Sequence, residues 1–478
     1  MNSQGLPQGR RAFLQQGMAG LGLSALSFLL SKSAGAADSA PPGPHFAPRA
    51  KRAIWLFMAG GPSQIDLFDY KPGLADRFNQ DLPESVRNNQ RLTGMTSNQQ
   101  RFPLAPSRFA FEQSGESGAW VSELLPNVRR VVDKMTIIKT MSTESINHDL
   151  ALSNINTGSQ LPGKPAMGAW LSYGLGRVQD EVPTYVVMTS RFSTRLSVQS
   201  IPARIWGSAF LPASHGGIPM RGVGDPILYL PNPAGVSAGS RRVMLDAVGE
   251  MNALSSASIG DPSIADRTEQ YELAYRMQSS MPGLIELTGE SDATLDLYGE
   301  DVRTPGTFAA NCLAARRMLE KGVRFAQIYH RGWDAHFVTP ENHTTQCADI
   351  DRACYGLLTD LEQRGMLEDT LVIWGGEFGR TVYCQGDLTR DNYGRDHHPR
   401  CFTMWLAGGG VRPGLVYGET DDFSYNVVDR EVPLRDLHAT ILHLFGLDPD
   451  RLRFMHAGLA ERLIGVGAPA RVVHDLIA

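Results

Sequence analysis

LVIWGGEFGRTVYCQGDLTRDNYGRDHHP, residues 371–399, is the stretch that best indicates the fold of this chain. It opens with a short apolar strand, 371–374, which ends in two glycines and the carboxylate Glu377. Four ionisable residues of interest follow: Arg380, Arg395, His397 and His398. In open α/β sheets, ligands bind beyond the carboxyl ends of the strands. The stretch therefore predicts a buried strand that delivers polar groups to the ligand-binding edge of such a sheet.

A second strand ends in the same way. The run VRFAQIYH, 323–330, leads into RGWDAH, which contains Asp334 and His336. Carboxylates and imidazoles together are the ligands expected for zinc, iron or manganese. The motif GGPSQID, 60–66, adds a carboxylate after the first strand. The candidate metal ligands are Asp66, Asp334, His336, Glu377, His397 and His398.

Each of these residues also has a structural alternative. The two adjacent histidines fit a polar surface loop, and Asp334 fits a turn held by an Asx hydrogen bond. Asp66 could cap the turn that follows it. A carboxylate at the end of a buried strand is costly without a partner, so Glu377 requires either a metal or Arg380. For His397, the adjacent Asp396 or Arg395 could hold the ring in place from behind.

The rest of the chain alternates between apolar strands and amphipathic helices. The predicted strands are 53–60, 135–141, 184–190, 323–330, 370–376 and 402–409. The predicted helices are 121–134, 308–322, 347–365 and 432–446. The strands are continuous apolar runs, which indicates burial on both faces. This alternation predicts a three-layer α/β/α sandwich with a mostly parallel central sheet.

The predicted domain organisation follows composition along the 478 residues. We expect a signal peptide at 1–36, a Pro/Ala-rich linker at 37–50, one domain at 51–450 and a tail at 451–478. The Gly- and Pro-rich region at about 200–300 interrupts the strand–helix rhythm, so it is interpreted as an insertion that covers the sheet edge.

The amino terminus carries a targeting pattern. Arg10 and Arg11 form a twin-arginine motif, a mildly apolar segment follows at 18–30, and 34–36 has the A-x-A form of a cleavage site. The pattern predicts export to the periplasm or beyond, with a membrane anchor as the alternative. No later segment is apolar enough to span a membrane. The net charge of -5 suggests neither nucleic acid nor an anionic membrane surface as partner.

Five motifs in order resemble a known family. They are KRAIWLFMAGGPSQIDLFDYKP (51–72), NHDLALSNINTG (147–158), RGWDAHF (331–337), GGEFGR (375–380) and GRDHHPRCFTMWLAGGGVRPG (394–414). Together they resemble the exported bacterial proteins grouped as domain of unknown function 1501, a family similar to the alkaline phosphatase and sulfatase superfamily. The resemblance covers about 50–450 and implies an alkaline-phosphatase-like fold.

The resemblance also implies roles for particular residues. His148 lies where sulfatases and phosphatases carry their nucleophile, and Glu377-Phe378 replace a metal-binding Asp-His pair. The candidate catalytic residues are His148, Arg380 and Arg395, and the candidate substrate-binding residues are Ser63 and Lys164. The expected cofactor is a divalent metal, zinc first, with manganese, iron or calcium as alternatives.

Two functions follow from these expectations. The first is an exported metal-dependent hydrolase that acts on small-molecule or polysaccharide phosphate or sulfate esters. In that role the arginines or Lys164 would stabilise charge on the transferred group. The second is a non-catalytic, metal-containing protein that binds a polysaccharide or an anionic ligand, because the nucleophile position and the Glu377-Phe378 position both depart from the catalytic pattern.

Overall fold

The structure of the chain is a computed structural model. It describes residues 43–191, 199–223, 227, 232–233, 235–261, 263–287, 289–465 and 469–478. The predicted signal peptide at 1–36 and the start of the predicted linker lie outside the described residues.

The strands, in chain order, are β1 (Arg52–Ala59), β2 (Phe111–Ser114), β3 (Ala119–Ser122), β4 (Met135–Ser142), β5 (Tyr185–Thr189), β6 (Ile218–Met220), β7 (Phe325–Arg331), β8 (Thr370–Gly375), β9 (Gly379–Gln385), β10 (Gly394–His398), β11 (Phe402–Ala407), β12 (Leu415–Tyr417), β13 (Glu419–Thr420), β14 (Val427–Asp429), β15 (Val432–Pro433), β16 (Phe454–His456) and β17 (Leu459–Glu461). The α-helices are α1 (Gln64–Leu67), α2 (Glu84–Arg87), α3 (His148–Thr157), α4 (Met167–Leu175), α5 (Ala238–Ile259), α6 (Ser263–Ser280), α7 (Pro282–Ile285), α8 (Asp292–Tyr298), α9 (Phe308–Glu320), α10 (Thr339–Gln363) and α11 (Leu434–Leu444).

The main sheet is mostly parallel. Its order across the described residues is β12-β4-β11-β8-β1-β7-β5-β6. Strand β15 pairs with the carboxyl-terminal end of β4. The central strand β1 pairs in parallel with both β7 and β8. Strand β11 alone in this order is antiparallel to its neighbours β4 and β8. The carboxyl ends of β1, β4, β7 and β8 therefore meet at one edge, and β11 begins there.

Helices cover both faces of the sheet. Side chains of β1 alternate between two apolar clusters, with Leu56 and Met58 in one and Trp55 and Phe57 in the other. The first cluster includes residues of α9 and α10, and the second includes residues of α3, α4 and α11. Because both faces are buried, the strands are apolar throughout rather than alternating. The predicted three-layer α/β/α class is confirmed.

Two local expectations differ from the structure. The helix predicted at 121–134 is wrong, since β3 ends at Ser122 and only 128–134 form a 3-10 helix. Pro126 stands inside that stretch, where it has no N–H to give to a helix. The segment after Glu377, expected to be a loop, forms the antiparallel hairpin β9–β10.

The chain divides into two compact units. The described residues of the first are 235–261 and 263–272, and those of the second lie within 43–233 and 273–478. In the described part of the first unit, Arg242 Nη1 donates to Glu272 Oε2 at 2.8 Å and so links α5 to α6. The second unit contains the whole main sheet. Among the described residues, no helix is sufficiently long and apolar to cross a bilayer.

A buried ion pair holds the hairpin β9–β10 against α1. Arg395 and Asp66 are both fully buried, and Arg395 Nε lies 2.8 Å from Asp66 Oδ2. Arg395 also donates to the carbonyl oxygens of Thr381 and Ala105. Burial raises the pKa of Asp66, but the Arg395 charge and hydrogen bonds outweigh it and lower the pKa to about 2. The pair therefore fixes the start of strand β10, which comprises residues 394–398.

We predict that Arg395→Met lowers the free energy of unfolding by about 3–5 kcal/mol, because it leaves the buried carboxylate of Asp66 without its opposite charge. Chemical denaturation at pH 7 measures this. Arg101→Met is the control, since its pair with Asp81 is exposed and should change stability by less than about 1 kcal/mol. The pKa of Asp66 is lower in the folded chain than the ordinary 3.8. Its contribution should therefore be complete above about pH 4 and decline toward pH 2. Equal destabilisation by both variants would contradict the prediction.

Candidate metal centre

Four side chains from three distant segments converge at the carboxyl edge of the sheet. His148 is the first residue of α3, which follows β4; Asp334 and His336 follow β7; His397 lies in β10, just before β11. One potential ligand atom from each residue lies within 4.8 Å of all the others. The parallel strands and the reversed β11 bring these segments together, because all of them end or begin at the same edge.

The three imidazole rings share one hydrogen-bonding pattern. Each Nδ1 faces an oxygen 2.7 Å away: Glu377 Oε1 for His148, Gln385 Oε1 for His336, and the Ile146 carbonyl for His397. A carbonyl or carboxylate oxygen can only accept, so each Nδ1 carries the ring hydrogen in the neutral form. Each Nε2 then has a bare lone pair.

These lone pairs point at one another and at one carboxylate. The Nε2 atoms of His336 and His397 are 3.1 Å apart. Asp334 Oδ1 lies 3.0, 3.2 and 3.5 Å from the Nε2 atoms of His336, His148 and His397. The Nε2 atom of His148 is buried and makes no hydrogen bond. Acceptors crowded against acceptors repel unless a cation lies among them, so the set fits a metal ion.

Protonation is a poorer solution to this crowding. Burial lowers the pKa of His397 to about 4, so its ring is neutral at pH 7. Burial also lowers the pKa of His148, but the carboxylates of Asp334 and Glu377 raise it above its ordinary value. Burial raises the pKa of Asp334, but the three histidines and Arg380 hold it far below its usual range. Asp334 thus offers a carboxylate and His397 a neutral imidazole, donor types that zinc binds, while a metal at His148 must displace a proton.

A shell of buried groups fixes these side chains from behind. Glu377 is fully buried and accepts hydrogen bonds from His148 Nδ1 and from the Gly60 N–H, which lies 3.0 Å from Oε1. Arg380, also fully buried, donates to Asp334 Oδ1 at 2.7 Å and to the carbonyls of Gly60 and Gly61. Such partners orient metal ligands and set their tautomers. Arg380 also balances the negative charge of Asp334.

Gly60 leaves room for this arrangement. A Cβ atom at this position would lie 2.4 Å from the backbone nitrogen of Asp334, and the glycine has a φ of +119°. Any side chain would therefore push the 331–336 segment away from β1. Gly60 therefore permits the close backbone approach that places Asp334 at the cluster.

The centre is open to solvent on one side. The side chain of Asp334 is 32% exposed, and those of His148 and His336 are 15% and 13% exposed. Phe378 closes another side, with its ring 4.8 Å from that of His148 and 4.4 Å from that of His397. A site with solvent access on one side and three or four protein ligands has room for a further ligand, as catalytic metal sites do.

The structure separates other predicted site residues from this cluster. Asp66 pairs with Arg395, and Ser63 Oγ donates to Asp66 Oδ2 at 2.5 Å, so all three form one buried structural network. Lys164 pairs with Glu461 at 2.6 Å, away from the cluster. His398 lies on the other side of β10, where Nε2 donates to the Tyr425 carbonyl and Nδ1 accepts from Gln90.

The cluster brings together Asp334, His336 and His397 with His148, which the sequence had suggested as a catalytic residue. Glu377 is not one of the four clustered residues but hydrogen-bonds to His148. Arg380 likewise lies outside the four and pairs with Asp334. Sequence reasoning missed Gln385 and the Ile146 carbonyl, which orient two of the rings. Gln385 ends a hairpin strand that was expected to be a loop, and a backbone carbonyl leaves no signal in sequence.

Several solved structures resemble the chain at a low level. The lipoteichoic acid synthase LtaP from Listeria monocytogenes is 10% identical, with a TM-score of 0.32 over 90% of this chain and 80% of that one. The PsFucS1 sulfatase from Pseudoalteromonas sp. is 11% identical, with a TM-score of 0.32 over 89% and 70%. A protein in the alkaline phosphatase superfamily from Vibrio parahaemolyticus is 10% identical, with a TM-score of 0.33 over 94% and 77%. Similarity of this size says nothing about activity.

No curated protein sequence is significantly similar to the chain. The family model described as protein of unknown function, DUF1501, matches residues 50–477. This range includes all four residues of the cluster, both faces of the sheet and the buried ion pair. The chain therefore belongs to the DUF1501 family.

Proposed function

We propose that this protein is a metal-dependent hydrolase of phosphate or sulfate esters. One observation carries the proposal: three imidazole Nε2 lone pairs and Asp334 Oδ1 meet at a point that solvent can reach, while each Nδ1 is held by a fixed acceptor. Imidazole-rich sets favour zinc, with manganese and iron as alternatives. When bound, such an ion acts as a Lewis acid toward an ester and the water that attacks it.

The residues of the chain have distinct tasks in this proposal. His148, Asp334, His336 and His397 hold the ion, and Glu377 keeps the His148 ring in the tautomer that binds. Arg380 and Arg395 are fully buried and use their N–H groups within the protein, so neither contacts the substrate. A divalent ion would outweigh the local excess of carboxylate charge and so attract an anionic ester.

The alternative is a metal-containing protein that binds a ligand without catalysis. Within the described part of the chain, no Ser, Thr or Cys side chain hydrogen-bonds to the four clustered residues. A covalent mechanism of the sulfatase or phosphatase type therefore lacks its nucleophile at this centre. Hydrolysis would proceed by direct attack of water.

We predict that the purified protein retains a divalent transition metal and that His397→Gln loses most of it, because the substitution removes one of the converging lone pairs. Elemental analysis after dialysis measures the metal. His398→Gln is the matched control, since the adjacent ring faces Tyr425 and Gln90 instead of the cluster. Equal metal in both variants, or none in the wild type, would remove the proposed centre.

Metal affinity should also fall as the pH is lowered from 8 to 5. The carboxylates around His148 raise its pKa, so a proton competes with the metal at this ring from near-neutral pH downward.

We predict that the metal-loaded protein hydrolyses at least one of p-nitrophenyl phosphate, bis-p-nitrophenyl phosphate and p-nitrophenyl sulfate. His148→Ala should lower kcat by about 10²-fold or more, the usual scale for loss of a key group in catalysis. Steady-state assays with added Zn, Mn, Fe or Ca test this, with His443→Ala as a histidine control outside the cluster. A metal-loaded protein that cleaves none of the three would favour the binding protein.

We also propose export through the twin-arginine route, on the basis of Arg10 and Arg11. Replacement of both by lysine should leave the precursor in the cytoplasm, because that route requires the arginine pair. Cell fractionation with a carboxyl-terminal tag measures the distribution. Unchanged delivery of the double variant to the periplasm would show that this signal is not used.

A further inference from the structure

A second feature at the same edge of the sheet is a large polar cavity. It has a volume of about 740 Å³ and lies where β4 ends and α11 begins, lined among others by Thr143, Asn154 and His438. None of the four clustered residues lines it. Its volume falls within the range of about 300–1,000 Å³ that small-molecule sites occupy. The cavity is thus a separate candidate site.

One residue of the cavity lining, His438, has an unsatisfied buried atom. His438 is 1% exposed, and its Nε2–H donates to the Ile155 carbonyl at 2.8 Å. Its other ring nitrogen, Nδ1, is buried and has no hydrogen-bond partner. Burial lowers the pKa of His438 to about 4, so the ring is neutral at pH 7 and Nδ1 is an acceptor. A buried acceptor without a donor is costly, and a ligand N–H or O–H would satisfy it.

The charges of the lining balance. Arg400 and Arg435 provide two positive groups, and Glu144 and Glu431 provide two negative ones. The remaining polar side chains are hydroxyls and amides: Ser142, Thr143, Asn154, Ser159, Gln160 and Asn426. An anion gains no overall attraction from such a lining, which also includes the apolar side chains of Val427, Leu434, Leu463 and Ile464. A neutral ligand rich in hydroxyl groups meets both donors and acceptors.

The position of the cavity relates it to the metal centre. Helix α3 begins at His148, and the Ile155 carbonyl that holds His438 lies seven residues further along the same helix. At a rise of about 1.5 Å per residue, the two points are roughly 10 Å apart. One polymeric ligand could therefore occupy both.

We propose that this cavity is a carbohydrate-binding site in which a sugar hydroxyl donates to His438 Nδ1. In this proposal the cavity binds uncharged sugar residues of a glycan. Its binding of sugar does not depend on the metal or on hydrolysis, so it is tested separately from the proposed function.

The test is saturation-transfer-difference NMR with four neutral tetrasaccharides, built from glucose, galactose, mannose and N-acetylglucosamine. His438→Gln places an amide N–H near the position of Nε2 but removes the acceptor at Nδ1. Gln160→Trp fills the cavity from a half-exposed position and leaves His438 intact. His443→Gln makes the same chemical change on α11 outside the cavity. Each protein is titrated before and after removal of metal by a chelator.

We expect saturable binding of at least one tetrasaccharide to the wild type and to His443→Gln, with or without metal. Affinity should be at least tenfold weaker in both His438→Gln and Gln160→Trp. The proposal is overturned if no tetrasaccharide binds the wild type, if both cavity variants bind as the wild type does, or if inorganic phosphate competes for the same site. Absence of bound metal from the untreated wild type, with sugar binding intact, would count against the proposed function alone.

Discussion

One oxygen atom organises the functional edge of this protein. Asp334 Oδ1 lies within 3.5 Å of three imidazole nitrogens and accepts a hydrogen bond from Arg380. Without a cation, three of those neighbours present lone pairs to a negative charge. The surrounding protein nevertheless holds them there, through a buried glutamate, a glutamine and a backbone carbonyl. Such an arrangement of fixed partners is what the proposed binding of an ion requires.

The sheet explains how such distant residues reach that oxygen. Most of its strands run in one direction, so the loops after β1, β4 and β7 share an edge. The reversal of β11 is equally necessary, because it turns the start of that strand, and with it His397, toward the same edge. The ion pair between Asp66 and Arg395 then fixes the hairpin that carries His397. The ion pair thus affects the centre by positioning the hairpin, although neither Asp66 nor Arg395 contacts the four clustered side chains.

The sheet could be predicted from the sequence, and so could three of the four clustered residues as metal ligands, with His148 expected to be catalytic instead. The buried strands are predictable because continuous apolar runs have one common explanation, burial between two helical layers. Asp334 and His336 are predictable because they follow the end of such a strand, and His397 because it shortly precedes the start of another. Asp66 looked equally suitable as a metal ligand. Its role is instead decided by its contact with the buried Arg395, which lies 329 residues away in the sequence, and no local sequence pattern indicates such a contact. The hairpin was missed because its polar residues resemble a loop, while in the structure they are buried by partners from elsewhere in the chain.

The wide spacing of the cluster along the chain has a consequence for folding. His336 and His397 are 61 residues apart, and His148 is 229 residues from Glu377, which orients it. The cluster cannot assemble in any short fragment, so binding of the proposed ion would require completion of the sheet. The five cysteines are all buried and unpaired, which leaves the chain without a covalent cross-link. An ion at this centre would tie three remote segments together and stabilise the folded chain by its binding free energy, because the unfolded chain lacks the assembled site.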